Sequence, residues 1–205
     1  MVTIALFHSV YGLRSVETEA GGRLRDLGHE VHVPDLYAGQ VASTLEAGFA
    51  LKDRIGWGTI VARALEALAG LPDTTVLAGF SMGCGIIEDV LPSRPAAAGV
   101  LLIHALADIP LETHAGVQVH IAEPDVFVSA ERLAAWRAAA LRHGTAATVH
   151  TYPGAGHFYT DNTLPDFDPH ANELTWQRTI EFLAHLDQEP PRVVPTVDQA
   201  EQNDR

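Results

Sequence analysis

Residues 76–85, VLAGFSMGCG, decide the predicted fold of this chain. An apolar run that is typical of a buried strand leads into Gly79 and Gly83, which stand on either side of Ser81, and residues of helical period follow up to Leu91. A sharp turn from strand to helix needs glycine on both sides of the serine, because side chains there would collide with neighbouring backbone. The stretch therefore predicts a nucleophile elbow, a turn that presents the Ser81 hydroxyl at the start of a helix.

Short apolar runs alternate with longer segments of helical period along the rest of the chain. The six strand candidates are residues 3–7, 30–33, 75–78, 100–103, 117–121 and 148–152. Several are apolar on both faces, as strands covered by helices on both sides should be. The alternation is typical of parallel βα units, so it predicts a three-layer α/β/α sandwich around a mostly parallel sheet.

Four of the intervening segments have an apolar face at helical spacing. These faces are Ala20, Leu24 and Leu27; Val61, Ala64, Leu65 and Leu68; Leu133, Trp136 and Ala140; and Trp176, Ile180 and Leu183. Residues 35–57 form a longer mixed segment, which predicts a short helix inside a loop that covers a site. Residues 188–205 have almost no core residues, so we expect one domain at residues 1–187 followed by an extended or disordered tail.

Composition and charge exclude several classes of protein. The 205 residues fit one domain, and the 47% hydrophobic and 19% charged content excludes a disordered, collagenous or disulfide-rich chain. A net charge of −13 would repel nucleic-acid phosphates and anionic lipid headgroups. We therefore expect no nucleic-acid partner and no membrane-surface role.

The cysteine content and the N-terminus predict a cytoplasmic protein. Cys84 is the single cysteine, so it cannot form an internal disulfide or a thiolate metal cluster. The apolar start MVTIALFHSVYG is too short to span a bilayer and lacks a basic leader, so it is better interpreted as a strand than as a signal peptide. The sequence has no HExxH motif, and we expect no metal site. A monomer or a small homo-oligomer is expected.

A serine is a poor nucleophile at neutral pH, so the elbow demands a histidine base and a carboxylate later in the chain. His157 lies in a glycine-rich loop directly after the last strand candidate, and Asp125 directly follows the preceding one. Both would lie with Ser81 at the carboxyl edge of a parallel sheet, where such sheets bind ligands. Glu123 is an alternative acid, but Asp125 is favoured because its shorter side chain after Pro124 suits a fixed loop position.

Acyl transfer also needs hydrogen-bond donors for the developing oxyanion. One is expected to be the backbone N–H of Met82, directly after the serine. The loop after the first strand, residues 7–12, supplies the second, and Val10 N–H is our candidate. Tyr11 in this loop is either a pocket wall or a core aromatic residue.

Four segments of the chain resemble the dienelactone hydrolase family of the α/β-hydrolase superfamily, over almost all of the chain up to about Leu186. They are LFHSVYG at residues 6–12, VPDLY at 33–37, the elbow, and PDVFV at 124–128 together with YPGAGH at 152–157. The resemblance implies a compact α/β-hydrolase fold with little or no cap. It also implies a triad of Ser81, Asp125 and His157 that hydrolyses a small ester or lactone.

Three departures from the family pattern bear on the substrate. The type enzymes of the family have cysteine where this chain has Ser81, and glutamate where it has Ser9. Cys84 lies on the following helix and is expected to be a buried small hydrophobic residue. The family's substrate-binding arginine is replaced by Asp161, which either points into the pocket or caps a turn. We therefore expect neutral esters to be preferred over esters that bear a carboxylate.

The predicted function is a serine hydrolase of small carboxylic esters or lactones that requires no cofactor. The substrate-pocket candidates are Ser9, Tyr11, His104, Phe127, Phe158 and Asp161. One alternative is a catalytically inert binding module on the same fold. Another is a thioesterase or peptidase that uses the same triad and differs only in the leaving group.

Overall fold

A parallel six-stranded sheet forms the centre of the computed structural model, which describes residues 1–109 and 115–188. The strands are β1 (Thr3–Phe7), β2 (Glu30–His32), β3 (Val76–Phe80), β4 (Gly99–Ile103), β5 (Gly116–Glu123) and β6 (Ala147–Pro153). Their order in the sheet is β2-β1-β3-β4-β5-β6, and every neighbouring pair is parallel. All six predicted strands are confirmed: the bounds of β1 are as predicted, and those of the other five differ by at most two residues.

Helices cover both faces of this sheet. They are α1 (Ser15–Asp26), α2 (Leu45–Ile55), α3 (Trp57–Leu68), α4 (Met82–Val90), α5 (Ala130–Arg142) and α6 (Pro169–Gln188). Alternate residues of β3 belong to two hydrophobic cores, one on each face of the sheet. On one face, Val76 and Ala78 pack in the core that includes Leu24 of α1 and Leu183 of α6. On the other face, Leu77 packs in the opposite core. That opposite core includes side chains from α3, α4 and α5. The predicted three-layer sandwich is confirmed.

Two apolar residues of the predicted helix faces lie on the outside of the fold. Leu27 directly follows the last residue of α1 and is 47% exposed. Leu65 is exposed on α3, whose inward face is made by Ile60, Ala64 and Leu68. Leu27 and Leu65 therefore do not belong to the buried faces of these helices.

The segment 35–57 contains more helix than its mixed composition predicts. Thr44 caps α2, because its side chain accepts a hydrogen bond from the N–H of Ala47 at 3.1 Å. Gly56 ends α2 with a φ of 86°, and α3 begins at the next residue. An eleven-residue helix thus replaces the short helix expected inside a loop.

Helix α6 includes the first residue of the segment that was predicted to be a tail. Gln188 is the last residue of α6, and residues 189–205 lie outside the described residues. In the two described ranges, we find no helix with the length and apolar character needed to cross a membrane.

Candidate active site

The turn between β3 and α4 holds Ser81 in a conformation that few non-glycine residues adopt. Ser81 has φ 49° and ψ −104°, and its N–H donates to the carbonyl of Ile103 at 2.8 Å. A Cβ at Gly79 would lie 2.5 Å from the carbonyl carbon of Gly83, and a Cβ at Gly83 would lie 2.5 Å from the carbonyl oxygen of Phe7. The prediction that both glycines are sterically required is confirmed.

Two hydrogen bonds join the predicted nucleophile, base and acid. Ser81 Oγ lies 2.9 Å from His157 Nε2, and His157 Nδ1 lies 2.7 Å from Asp125 Oδ2. With the proton on Nδ1, His157 donates to the carboxylate and accepts from the serine hydroxyl. The side chains of His157 and Asp125 are 2% and 0% exposed, so the hydrogen bond between them is shielded from water.

The loop after β5 fixes the Asp125 carboxylate. Its Oδ1 accepts hydrogen bonds from the N–H groups of Phe127 at 2.8 Å and Val128 at 3.0 Å, which leaves Oδ2 facing His157. Glu123 is the exposed last residue of β5. The structure thus brings Asp125, rather than Glu123, to the imidazole.

Aromatic rings enclose the imidazole of His157. Phe127 and Phe158 meet it edge to face, with ring centroids 4.6 and 4.5 Å away. Asp166 holds the loop at residues 154–164, hereafter the histidine loop, by accepting a hydrogen bond from Phe158 N–H at 3.2 Å. A Cβ at Gly156 would lie 2.7 Å from the Asp166 carboxyl carbon, so this contact requires the glycine.

The two predicted oxyanion donors have no competing acceptor. Among the residues that the structure describes, neither Val10 N–H nor Met82 N–H donates a hydrogen bond. Helix α2 packs closely against this region, because a Cβ at Gly48 would lie 2.8 Å from the Val10 carbonyl oxygen. The loop at residues 8–14, hereafter the first loop, is therefore confined between α2 and the sheet.

A buried carboxylate that the sequence analysis missed ties the first loop to α1. Glu17 is 1% exposed, and its Oε1 accepts hydrogen bonds from Ser9 Oγ at 2.9 Å and, more weakly, from Ser9 N–H at 3.4 Å. Its Oε2 accepts from the N–H of Arg14 at 3.0 Å. The only signal in the sequence is an acidic residue in the first turn of a predicted helix, which is common at helix N-termini.

Asp161 is neutralised by a neighbouring cation. It is buried and forms an ion pair with Arg14, while its Oδ1 accepts from Thr163 N–H at 2.9 Å and Thr163 Oγ1 at 2.6 Å. The alternative that Asp161 caps a turn is confirmed. Its Oδ2 pairs with Arg14, so the charge of Asp161 is compensated within the protein.

The remaining pocket candidates differ in their exposure. Ser9, Tyr11, His104 and Phe158 are all buried, whereas Phe127 is 46% exposed. Of the six candidates, Phe127 alone offers a large surface to a ligand.

His104 and His120 are buried and are neutral at pH 7. Burial lowers the pKa of His104 well below its usual value, with smaller effects of His157 and His120 in the same direction. Burial also lowers the pKa of His120 to about 3, and His120 Nδ1 lies 2.7 Å from the Tyr152 hydroxyl. These two histidines therefore carry no positive charge at pH 7.

Cys84 is fully buried under the elbow, as predicted. Its thiol approaches the carbonyl oxygens of Gly79 at 3.3 Å and Ile103 at 3.5 Å. Burial raises the pKa of this thiol to about 12, so it is not a nucleophile at neutral pH. In the part of the chain with described coordinates, no group of three or more His, Cys, Asp or Glu side chains could hold a metal ion.

The parallel sheet, the elbow and the hydrogen-bonded Ser81, His157 and Asp125 define an α/β hydrolase. Residues 1–186 match the family model described as dienelactone hydrolase family, so the chain belongs to that family. The expected resemblance is confirmed, and the family supports hydrolase activity. A comparison with curated protein sequences gives no significant match.

Solved structures share this fold at low sequence identity. A dienelactone hydrolase-like promiscuous phosphotriesterase from metagenomic libraries is 21% identical, with a TM-score of 0.74 over 91% of this chain and 87% of that chain. The protein designated m3DLH is 20% identical, with a TM-score of 0.75 over 90% and 86%. An α/β hydrolase from a Medee basin deep-sea metagenome library is 12% identical, with a TM-score of 0.65 over 90% and 85%.

Proposed function

We propose that this chain is a serine hydrolase that cleaves small carboxylic esters or lactones. The observation that carries the proposal is the continuous chain of hydrogen bonds from Ser81 Oγ through His157 to Asp125, at 2.9 and 2.7 Å. A serine hydroxyl gains nucleophilic character when an oriented base can take its proton. A structural role alone does not require this arrangement at a strained turn.

Acylation begins when His157 Nε2 takes the proton of Ser81 as the serine oxygen attacks the ester carbonyl. The carbonyl oxygen becomes an oxyanion, and the N–H groups of Val10 and Met82 are the proposed donors to it. The tetrahedral intermediate collapses when the bond to the leaving oxygen breaks. His157 Nε2 returns the proton to that oxygen, and the alcohol departs.

Deacylation repeats the same steps with water. His157 Nε2 takes a proton from the water molecule as the water oxygen attacks the acyl carbon. The bond between that carbon and Ser81 Oγ then breaks, His157 Nε2 returns the proton to Oγ, and the carboxylic acid departs. Asp125 stabilises the imidazolium in both halves, aided by its shielding from solvent. Because His104 and His120 are neutral, neither of them repels the positive charge that forms on His157.

Covalent labelling tests the proposal. We expect a fluorophosphonate probe to add to wild-type protein at Ser81 and not to the Ser81→Ala variant, as resolved by peptide mass spectrometry. A panel of chromogenic esters, a thioester and a peptide anilide then ranks the leaving groups. Labelling with turnover of the thioester or anilide alone would favour the thioesterase or peptidase alternative. An unlabelled Ser81 and no turnover would favour the inert binding module.

A further inference from the structure

We propose that Phe127 and Phe49 form a leaving-group subsite, which binds the aromatic alcohol portion of a neutral ester. This inference rests on the proposed function and assigns it a substrate class. The subsite lies beside His157 and joins the loop after β5 to helix α2.

These two rings form an exposed apolar surface next to the reacting groups. Phe127 is 46% exposed and Phe49 is 39% exposed, and their ring centroids are 6.2 Å apart. Val126, which precedes Phe127, is 81% exposed. Single exposed apolar residues are common on protein surfaces, but neighbouring ones mark ligand-binding or interaction sites.

The chemistry of the triad assigns this surface to the leaving group. His157 Nε2 must reach the leaving oxygen in order to protonate it, so the alcohol has to lie within hydrogen-bond distance of the imidazole. The ring centroid of Phe127 is 4.6 Å from that of His157. We infer that an alcohol that accepts the proton lies next to Phe127, whose ring neighbours that of Phe49.

Helix α2 holds Phe49 in place through its packing on the first loop. Gly48 allows the helix to approach the Val10 carbonyl, and Leu51 is buried on the inward face of α2. Phe49 lies between these two residues in the sequence and stays exposed. The helix is thus fixed on one side while it presents an aromatic ring on the other.

The charges near the subsite favour a neutral ligand. Lys52 Nζ lies 5.5 Å from the centroid of the Phe49 ring, but it also forms an ion pair with Asp53 at 3.0 Å. Arg14, on the first loop, is paired with Asp161. Because each of these cations already has a carboxylate partner, a substrate carboxylate gains little from either, while the rings favour planar apolar groups.

Two acetate esters provide the test. Benzyl acetate and ethyl acetate share an acyl group, and their alcohols are of similar acidity, so their kcat/KM ratio reports on binding of the alcohol. We expect Phe127→Ala and Phe49→Ala each to lower this ratio roughly tenfold. Leu27→Ala is the matched control, since Leu27 is equally exposed but follows α1 at the opposite edge of the sheet. Its ratio should be unchanged.

The ratio also separates the subsite from a structural role of Phe127. Equal losses on both esters would mean that Phe127 only supports His157, and would overturn the proposal. Methyl phenylacetate carries the ring on its acyl side, so a loss confined to that ester would overturn the leaving-group assignment. If wild-type protein turns over none of these esters and Ser81 stays unlabelled, the proposed function itself fails. Turnover with unchanged ratios overturns only the subsite.

Discussion

Arg14 and Asp161 stand 147 positions apart in the chain, yet their side chains form an ion pair. Arg14 belongs to the first loop and Asp161 to the histidine loop, so the pair connects the proposed oxyanion donor with the proposed base. The guanidinium also lies 4.4 Å from the centroid of the Tyr11 ring. Charge pairing and stacking together make this contact a link between the first loop and the histidine loop.

We predict that Asp161→Asn lowers stability and shifts substrate preference. Loss of the carboxylate leaves Arg14 with Glu17, whose Oε1 is 4.0 Å from the guanidinium. We expect the free energy of unfolding, measured in urea, to fall by roughly 2 kcal/mol, because the largely buried charge of Arg14 loses its partner. We also expect the kcat/KM preference for neutral over carboxylate-bearing esters to narrow.

Measurements at two salt concentrations separate two effects on the preference for neutral esters, one of the net charge and one of Arg14. The net charge of −13 slows the approach of anions, and this effect is screened as ionic strength rises. A local effect of Arg14 persists at high salt because the residue is mostly buried. A wild-type preference for the carboxylate-bearing ester would contradict the prediction. Asp161→Arg is a less useful variant, because it would place two guanidinium groups together.

Glu17→Gln should impair the first loop without changing the overall fold. Glu17 accepts three hydrogen bonds from Ser9 and Arg14, whereas glutamine replaces one acceptor oxygen with a donor. We expect kcat for a chromogenic ester to fall about tenfold with little change in KM, because Val10 N–H would lose its position against the oxyanion. Glu19→Gln, on the exposed face of α1, is the control. A rise in KM alone would argue against a role in the transition state.

Local patterns in the sequence predicted the features that depend on neighbours along the chain. The elbow follows from glycine sterics around Ser81, and the preference for Asp125 over Glu123 followed from side-chain length. The role of Glu17 could not be predicted, because its partners are set by how α1 docks on the first loop. Phe49 was missed for a similar reason: its exposure beside Phe127 depends on the packing of α2, not on helical period.

Ser81→Ala should abolish ester turnover while the fold is retained. Removal of the nucleophile leaves only oxyanion and binding effects, so we expect kcat to fall by at least about four orders of magnitude. Circular dichroism and melting temperature should stay close to wild type. More than a tenth of the wild-type activity would exclude Ser81 as the nucleophile.

Paired variants of the two candidate acids test the role of Asp125. Asp125→Asn should slow acylation by orders of magnitude, because an amide can hold His157 in the wrong tautomer and cannot stabilise the imidazolium. Glu123→Gln should have little effect, since Glu123 is exposed at the end of β5. Stopped-flow measurement of the acylation burst compares the two. If acylation is slow in Glu123→Gln and nearly unchanged in Asp125→Asn, the acid is Glu123 and not Asp125.

Buried neutral histidines should make the protein less stable as the pH falls. Burial lowers the pKa of His120 to about 3 and that of His104 well below its usual value. In the unfolded chain both titrate near 6.5, so between that pH and the folded pKa the unfolded state binds more protons than the folded state. Stability is therefore full above pH 6.5 and declines below it. Each histidine lowers the free energy of unfolding by about 1 kcal/mol between pH 7.5 and pH 5.5.

Urea unfolding at pH 7.5, 6.5 and 5.5 measures this slope in the wild type and in two variants. His120→Gln removes one buried titrating group, and glutamine still offers polar atoms to Tyr152 and Gln118, which bond the imidazole at 2.7 and 3.0 Å. We expect its loss of stability over this pH range to be smaller than that of the wild type by about 1 kcal/mol. His170→Gln is the control, because His170 is exposed near the start of α6. If both variants keep the wild-type slope, the uptake of a proton by His120 on unfolding is not the cause of the pH dependence.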